Sequence, residues 1–123
     1  MRLIRAAVAG LLLGAGAAGW TADNGIPAVK TFEVTASRFQ FEPDTLEVQE
    51  GDQVKITLRS ADTSHGFAIK ELKVKAKVPK GGKPVTVEFV ADKAGTYDFT
   101  CSEYCGPGHR DMKGKLVVTP RAQ

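Results

Sequence analysis

Through most of the chain apolar and polar residues alternate with period two, and that pattern commits it to half-buried β-strands. Phe32, Val34 and Ala36 oppose Thr31, Glu33 and Thr35; Val54, Ile56 and Leu58 oppose Lys55, Thr57 and Arg59; Val85, Val87 and Phe89 oppose Thr86 and Glu88. Successive side chains of a strand point to opposite faces, so each run offers one face to a core and one to water. Turn chemistry separates the runs at Glu42-Pro43-Asp44, Glu50-Gly51-Asp52, Pro79-Lys80-Gly81-Gly82 and Asp92-Lys93-Ala94-Gly95. Short strands at this spacing suit an antiparallel β-sandwich. After residue 30 no helical period outlasts a turn or two, and 123 residues leave room for a single domain.

The N-terminus has a different pattern. Arg2 and Arg5 precede an uncharged run from Ala6 to Gly19 made of Ala, Val, Leu and Gly, with Ala15, Ala17 and Ala18 where a signal peptidase could cut. As a helix, the run through Trp20 would be about 22 Å long at ~1.5 Å per residue, short of a hydrocarbon core of about 30 Å. Residues 1–22 are expected to be a signal peptide or, with the arginines inside and Trp20 at the far interface, a short N-terminal anchor. Residues 23–30 read as a linker and 31–120 as the domain. Either way the domain is expected outside the cytoplasm, in the periplasm or on the outer face of a bacterial inner membrane. Loss of Arg2 and Arg5 lowers the formal charge from +3 to +1, so basicity is no argument for nucleic acid.

Between Lys70 and Lys83, Leu72, Val74, Ala76 and Val78 alternate with Lys73, Lys75 and Lys77. This reads as an edge strand whose outward lysines discourage sheet-to-sheet pairing. A docking surface for an acidic partner is the other reading.

Cys101-Ser102-Glu103-Tyr104-Cys105-Gly106-Pro107-Gly108-His109-Arg110-Asp111-Met112 places two thiols, an imidazole and a thioether within twelve residues, and there are no other cysteines. Soft donors at this density indicate a transition-metal site, copper above all. In an exported chain two cysteines also commonly form a disulfide. His65, the only other histidine, follows the polar loop Ser60-Ala61-Asp62-Thr63-Ser64 and could complete a metal site. Zinc could use Cys101, Cys105, His109 and His65 but has no need of Met112. A mononuclear blue copper would leave one cysteine without a role. Two thiolates one turn apart can instead bridge two coppers, each taking one histidine and one weak axial donor.

The loop resembles the binuclear copper (CuA) loop of cytochrome c oxidase subunit II, Cys-Ser-Glu-x-Cys-Gly-x-x-His-x-x-Met, at every fixed position. The segment Ser60–Phe67 is similar to that family's first ligand loop, and Phe39-Gln40-Phe41-Glu42-Pro43 with Val48 and Gly51 to its opening strands. The resemblance implies an all-β, cupredoxin-like Greek-key β-sandwich. It implies two coppers bridged by Cys101 and Cys105, with His65 and His109 as terminal ligands. Met112 and the main-chain carbonyl of Glu103 would be the axial ligands. Six protein donors would leave no vacant position for substrate, so such a site passes electrons. The implied partners are a periplasmic donor such as cytochrome c and the catalytic subunit of a haem-copper oxidase. The alternative is a free-standing periplasmic cupredoxin, a soluble redox shuttle or copper store. The copper domain of a nitrous-oxide-reducing enzyme is disfavoured, because that chemistry needs a larger histidine-rich domain. Asp62 and Ser64 are expected beside His65, orienting its ring. Gly106, Pro107 and Gly108 are expected to fold the loop back on itself.

Overall fold

Each of the three alternating runs is a strand in the computed structural model, which describes residues 27–121. The segment expected as signal or anchor lies outside the described residues. β1 (Val29–Ser37), β2 (Gln40–Glu42), β3 (Thr45–Gln49), β4 (Gln53–Ser60), β5 (His65–Ile69), β6 (Val74–Val78), β7 (Val85–Val90), β8 (Gly95–Thr100) and β9 (Lys113–Thr119) follow in order. β1 starts inside the span expected as linker, because Val29 and Lys30 already pair with Gln53 and Val54. The strands form two sheets, ordered β2-β1-β4-β7 and β3-β9-β8-β5-β6. Helical geometry among the described residues is confined to two 3₁₀ turns, Lys70–Leu72 and His109–Asp111. No helix among them is long and apolar enough to cross a membrane.

The sheets stack because their apolar faces meet. Val34, Ala36, Val54, Ile56 and Leu58 from one sheet and Leu46, Phe67, Ile69, Phe99 and Leu116 from the other are fully buried. Phe41, Phe67 and Phe99 form the centre, with ring centroids 5.1 to 5.9 Å apart, and two of the three pairs meet edge to face, the arrangement that ring quadrupoles favour. Val85, Val87 and Phe89 alternate as expected but are only half-buried, since β7 is the edge of its sheet.

The expectation of a wholly antiparallel sandwich needs correction. β1 pairs with β4 and β3 with β9 in parallel. Glu42-Pro43-Asp44 carries the chain from one sheet to the other, and Glu50-Gly51-Asp52 carries it back. These turns are arches across the sandwich rather than hairpins. Turn residues report that the chain reverses, whereas pairing depends on which sheet receives the next strand.

β6 is the edge strand expected from its lysines, with Lys75 and Lys77 exposed. Two loops meet at one end of the sandwich: residues 61–64 between β4 and β5, and residues 101–112 between β8 and β9. Asp52 ties down the opposite end of β4. Its buried carboxylate accepts from the N–H groups of Ala28 (3.1 Å) and Gln49 (2.9 Å) and pairs with Arg121 and, at 3.9 Å, Lys30.

Candidate metal centre

The loop 101–112 is closed at its base by the Cys101 N–H donating to the Met112 carbonyl at 3.2 Å. Within it the chain turns at Gly106, where φ is +137°, a conformation that disfavours a side chain. Main-chain bonds from His109 to Gly106 (3.0 Å), Asp111 to Gly108 (3.0 Å) and Met112 to His109 (3.3 Å) wind the return limb into a 3₁₀ turn. That winding brings His109 and Met112 back over the cysteines, as expected of the Gly-Pro-Gly segment.

Cys101 and Cys105 are free, buried thiols whose sulfurs lie 3.6 Å apart. Around Cys101 Sγ stand His65 Nδ1 at 3.9 Å and the Glu103 carbonyl oxygen at 3.1 Å. Around Cys105 Sγ stand His109 Nδ1 and Met112 Sδ, each at 3.7 Å. All six donors expected from the sequence therefore converge, in two matched halves. His65 and Met112 are buried with the sulfurs, while His109 and Glu103 are half-buried. The ligating atoms of His65, Cys101 and Cys105 all lie within 4.8 Å of one another. Two thiols, two imidazoles, a thioether and one neutral carbonyl form a donor set that fits copper and offers little to a hard, oxygen-seeking cation.

Burial, the contact with Cys101 and the Asp62 carboxylate push the Cys105 thiol up to about 11, against the opposing charge of Arg38. A metal held by these sulfurs displaces protons to bind.

The first loop fixes the other histidine. Asp62 Oδ1 lies 2.7 Å from His65 Nε2. With Nε2–H donating to the carboxylate, the neutral ring keeps its lone pair on Nδ1, the nitrogen that faces Cys101. Burial works against the charge on Asp62, but hydrogen bonds from the Arg38 N–H, the His65 ring and the Thr63 N–H outweigh it and hold the carboxyl down at about 2. Ser64, expected beside the ring, is not there. Its hydroxyl accepts from the Lys80 N–H at 3.4 Å instead.

Three residues that sequence reasoning did not assign brace the cysteine loop, and one of them ties it to the first loop. The Arg38 main-chain N–H donates to Asp62 Oδ2 at 2.8 Å, and its Nε donates to the Cys105 carbonyl at 3.1 Å. The Phe39 ring fills the hollow over the Gly-Pro-Gly turn, where a Cβ on Gly108 would come within 2.6 Å of it. The Gly66 N–H points at Cys101 Sγ at 3.5 Å, and a Cβ there would sit 2.1 Å from Ser102 Oγ and 2.7 Å from the Glu103 nitrogen. Phe39 was noted only as part of the resemblance of Phe39–Pro43 to the family's opening strands, and nothing in the sequence indicates that Arg38 reaches residues 24 and 67 positions away.

Residues 6–118 match the cupredoxin-like domain family. The chain belongs to this family. Two sequences from Thermus thermophilus, both named cytochrome c oxidase subunit 2, are 33% identical to this cupredoxin over 92 residues, 75% of the chain. The chain spans 67% of one relative and 54% of the other. A chain from a cryo-EM structure of a haem-copper terminal oxidase dimer superposes with a TM-score of 0.65 at 27% identity, covering 72% of this chain and 64% of that one. The periplasmic domain of subunit II of cytochrome oxidase from Bradyrhizobium japonicum has the same fold, with a TM-score of 0.67 at 20% identity over 74% of this chain and 84% of that one. The likeness to oxidase subunit II implies copper as the metal of this cupredoxin and electron transfer as its role.

Proposed function

We propose that this cupredoxin is an exported electron-transfer domain holding two copper ions, which receives single electrons from a periplasmic donor such as cytochrome c and delivers them to a haem-copper terminal oxidase. One observation carries this reading: two free thiols 3.6 Å apart, each flanked by one imidazole Nδ1 and one weaker donor. A zinc clip leaves Met112 without a role, and a single blue copper leaves one sulfur without a role. A pair bridged by both sulfurs uses every donor.

Cys101 and Cys105 would be the bridging ligands, His65 and His109 the terminal ones, and Met112 with the Glu103 carbonyl the axial ones. When bound, copper supplies reversible one-electron chemistry. Everything else is done by the chain. Asp62 and the β5 backbone fix the His65 ring, and the closed loop 101–112 fixes the other donors, so that little has to move when charge changes. The sulfurs are buried, and Tyr104, 76% exposed and with its ring centroid 5.6 Å from that of His109, marks the outer rim.

Copper titration of the reduced protein, followed by metal analysis and optical spectra, tests the reading. The expected result is two coppers per chain and the purple spectrum of a thiolate-bridged pair. One copper with a blue spectrum, or no colour, overturns it. Isolation from a membrane fraction tests the acceptor. Co-purification with a haem-containing subunit supports the oxidase, and a persistently separate protein supports the shuttle or copper store.

A further inference from the structure

The charge of this protein is concentrated beside its metal end. Residues 70–83 carry Lys70, Lys73, Lys75, Lys77, Lys80 and Lys83 against Glu71 alone. The whole chain is only +3, so everything outside that segment is net negative. Edge protection accounts for Lys75 and Lys77 on the β6 ladder. It does not account for Lys70, Lys80 and Lys83, which lie off the strand.

Register gives these lysines a direction. Lys75 stands opposite Ala68 and Lys77 opposite Gly66, and directly opposed residues of an antiparallel pair share a face of the sheet. Gly66 is the residue on which Ser102 and Glu103 of the cysteine loop rest. The lysine face and the metal loop therefore adjoin. Between them lies a cleft of about 380 Å³, lined by Lys70, Lys75, Ala68 and Thr100 together with Ser102, Cys101 and His109. The cleft thus joins two lysines, Lys70 and Lys75, to an imidazole expected to bind copper.

We infer that this cleft and its lysines form the docking surface for a redox protein with an acidic face, placing the partner's electron-exchange group beside His109. The inference rests on the electron-transfer reading above and adds the chemistry of the partner. Complementary charge steers encounter and fixes orientation more than it adds affinity. A partner with a basic face is repelled here, so a cytochrome acting as donor needs acidic residues around its exposed haem edge.

The test is an amide NMR titration of the ¹⁵N-labelled, copper-free reduced protein with two probes, hexacyanochromate(III) and an acidic flavodoxin, at low salt and at about 0.3 M salt. With flavodoxin at low salt, signals of Lys70, Lys75, Thr100, Ser102 and His109 shift and the shifts vanish at high salt. The double variant Lys70→Glu/Lys75→Glu weakens binding by about tenfold or more, whereas Lys55→Glu, exposed on the other sheet, leaves it unchanged. Shifts confined to Lys77, Lys80 and Lys83, shifts that survive the double variant, or no shifts at all overturn the inference. Broadening by hexacyanochromate without flavodoxin binding also overturns it, because the cleft then takes only a free anion. Copper titration of the same samples separates this inference from its premise: a chain that binds flavodoxin as described but takes up no copper keeps the surface and loses the electron-transfer reading.

Discussion

Asp62 Oδ1 lies 2.7 Å from His65 Nε2, on the side of the ring away from Cys101. One carboxylate thereby selects the tautomer of a buried histidine, and its other oxygen takes the Arg38 N–H at 2.8 Å. Replacing Asp62 with Ala leaves the ring free to turn and removes an anchor of the first loop. Loss of such an outer partner typically lowers metal affinity by about 10- to 100-fold. Competition with a copper chelator measures it. Unchanged affinity would mean that packing alone holds the ring.

Gly66 and Gly108 look alike in the sequence but differ in what lies against them. The atoms nearest a Cβ on Gly108 are those of the Phe39 ring, whereas a Cβ on Gly66 meets main-chain nitrogens of Ser102 and Glu103 at 2.9 and 2.7 Å as well as the Ser102 hydroxyl. Overpacking of this kind costs about 1–3 kcal/mol. Gly108→Ala should be rescued in large part by Phe39→Leu. Gly66→Ala should not be rescued by Ser102→Gly, because the backbone contacts remain. Thermal unfolding of the four variants, with copper affinity measured in parallel, checks both statements.

The ligand loop was legible because its donors sit at short, fixed separations and the backbone between them does most of the positioning. The core faces of β1 and β4 were legible because period two survives wherever one face is buried. The parallel pairs were not, since the sequence marks reversals without saying which sheet receives the next strand. Arg38 was missed for a related reason. Its partners, Asp62 and Cys105, meet it only after β1 and β4 have paired and the β8–β9 loop has closed over them. Ser64 was misplaced because proximity in sequence was read as proximity to the ring, whereas its hydroxyl is taken by the Lys80 N–H, 16 positions away.

Asp52 provides the pH dependence. Burial alone would raise its pKa, but the N–H groups of Gln49 and Ala28 and the charges of Arg121 and Lys30 together hold it below the ordinary carboxylate range. A carboxyl with a lower pKa folded than unfolded contributes stability that is complete above the unfolded value, about 3.9, and lost as pH falls toward the folded value. Asp52→Asn should therefore destabilise the protein at neutral pH. The gap between variant and parent should narrow steadily below about pH 4. Urea unfolding between pH 7 and pH 3 measures this, and a constant gap would show that Asp52 acts through geometry rather than charge.

The two halves of the candidate centre are unequal in what they can lose. Cys105 is common to the Cys101, His109 and Met112 contacts, at 3.6, 3.7 and 3.7 Å, so Cys105→Ser would remove one of the two proposed bridging sulfurs. The Met112 thioether lies against Cys105 Sγ at 3.7 Å and is a weak donor. Met112→Leu conserves volume in a site that is 1% exposed, and swaps of that kind usually cost under about 1.5 kcal/mol. Cys105→Ser should bind at most one copper per chain and lose the purple spectrum. Met112→Leu should keep both coppers and the spectrum but show a shifted reduction potential, since the axial donor tunes the potential. Metal analysis, optical titration and voltammetry distinguish the two. If Met112→Leu loses a copper, the thioether is a required ligand, and the proposed division between bridging and axial donors fails.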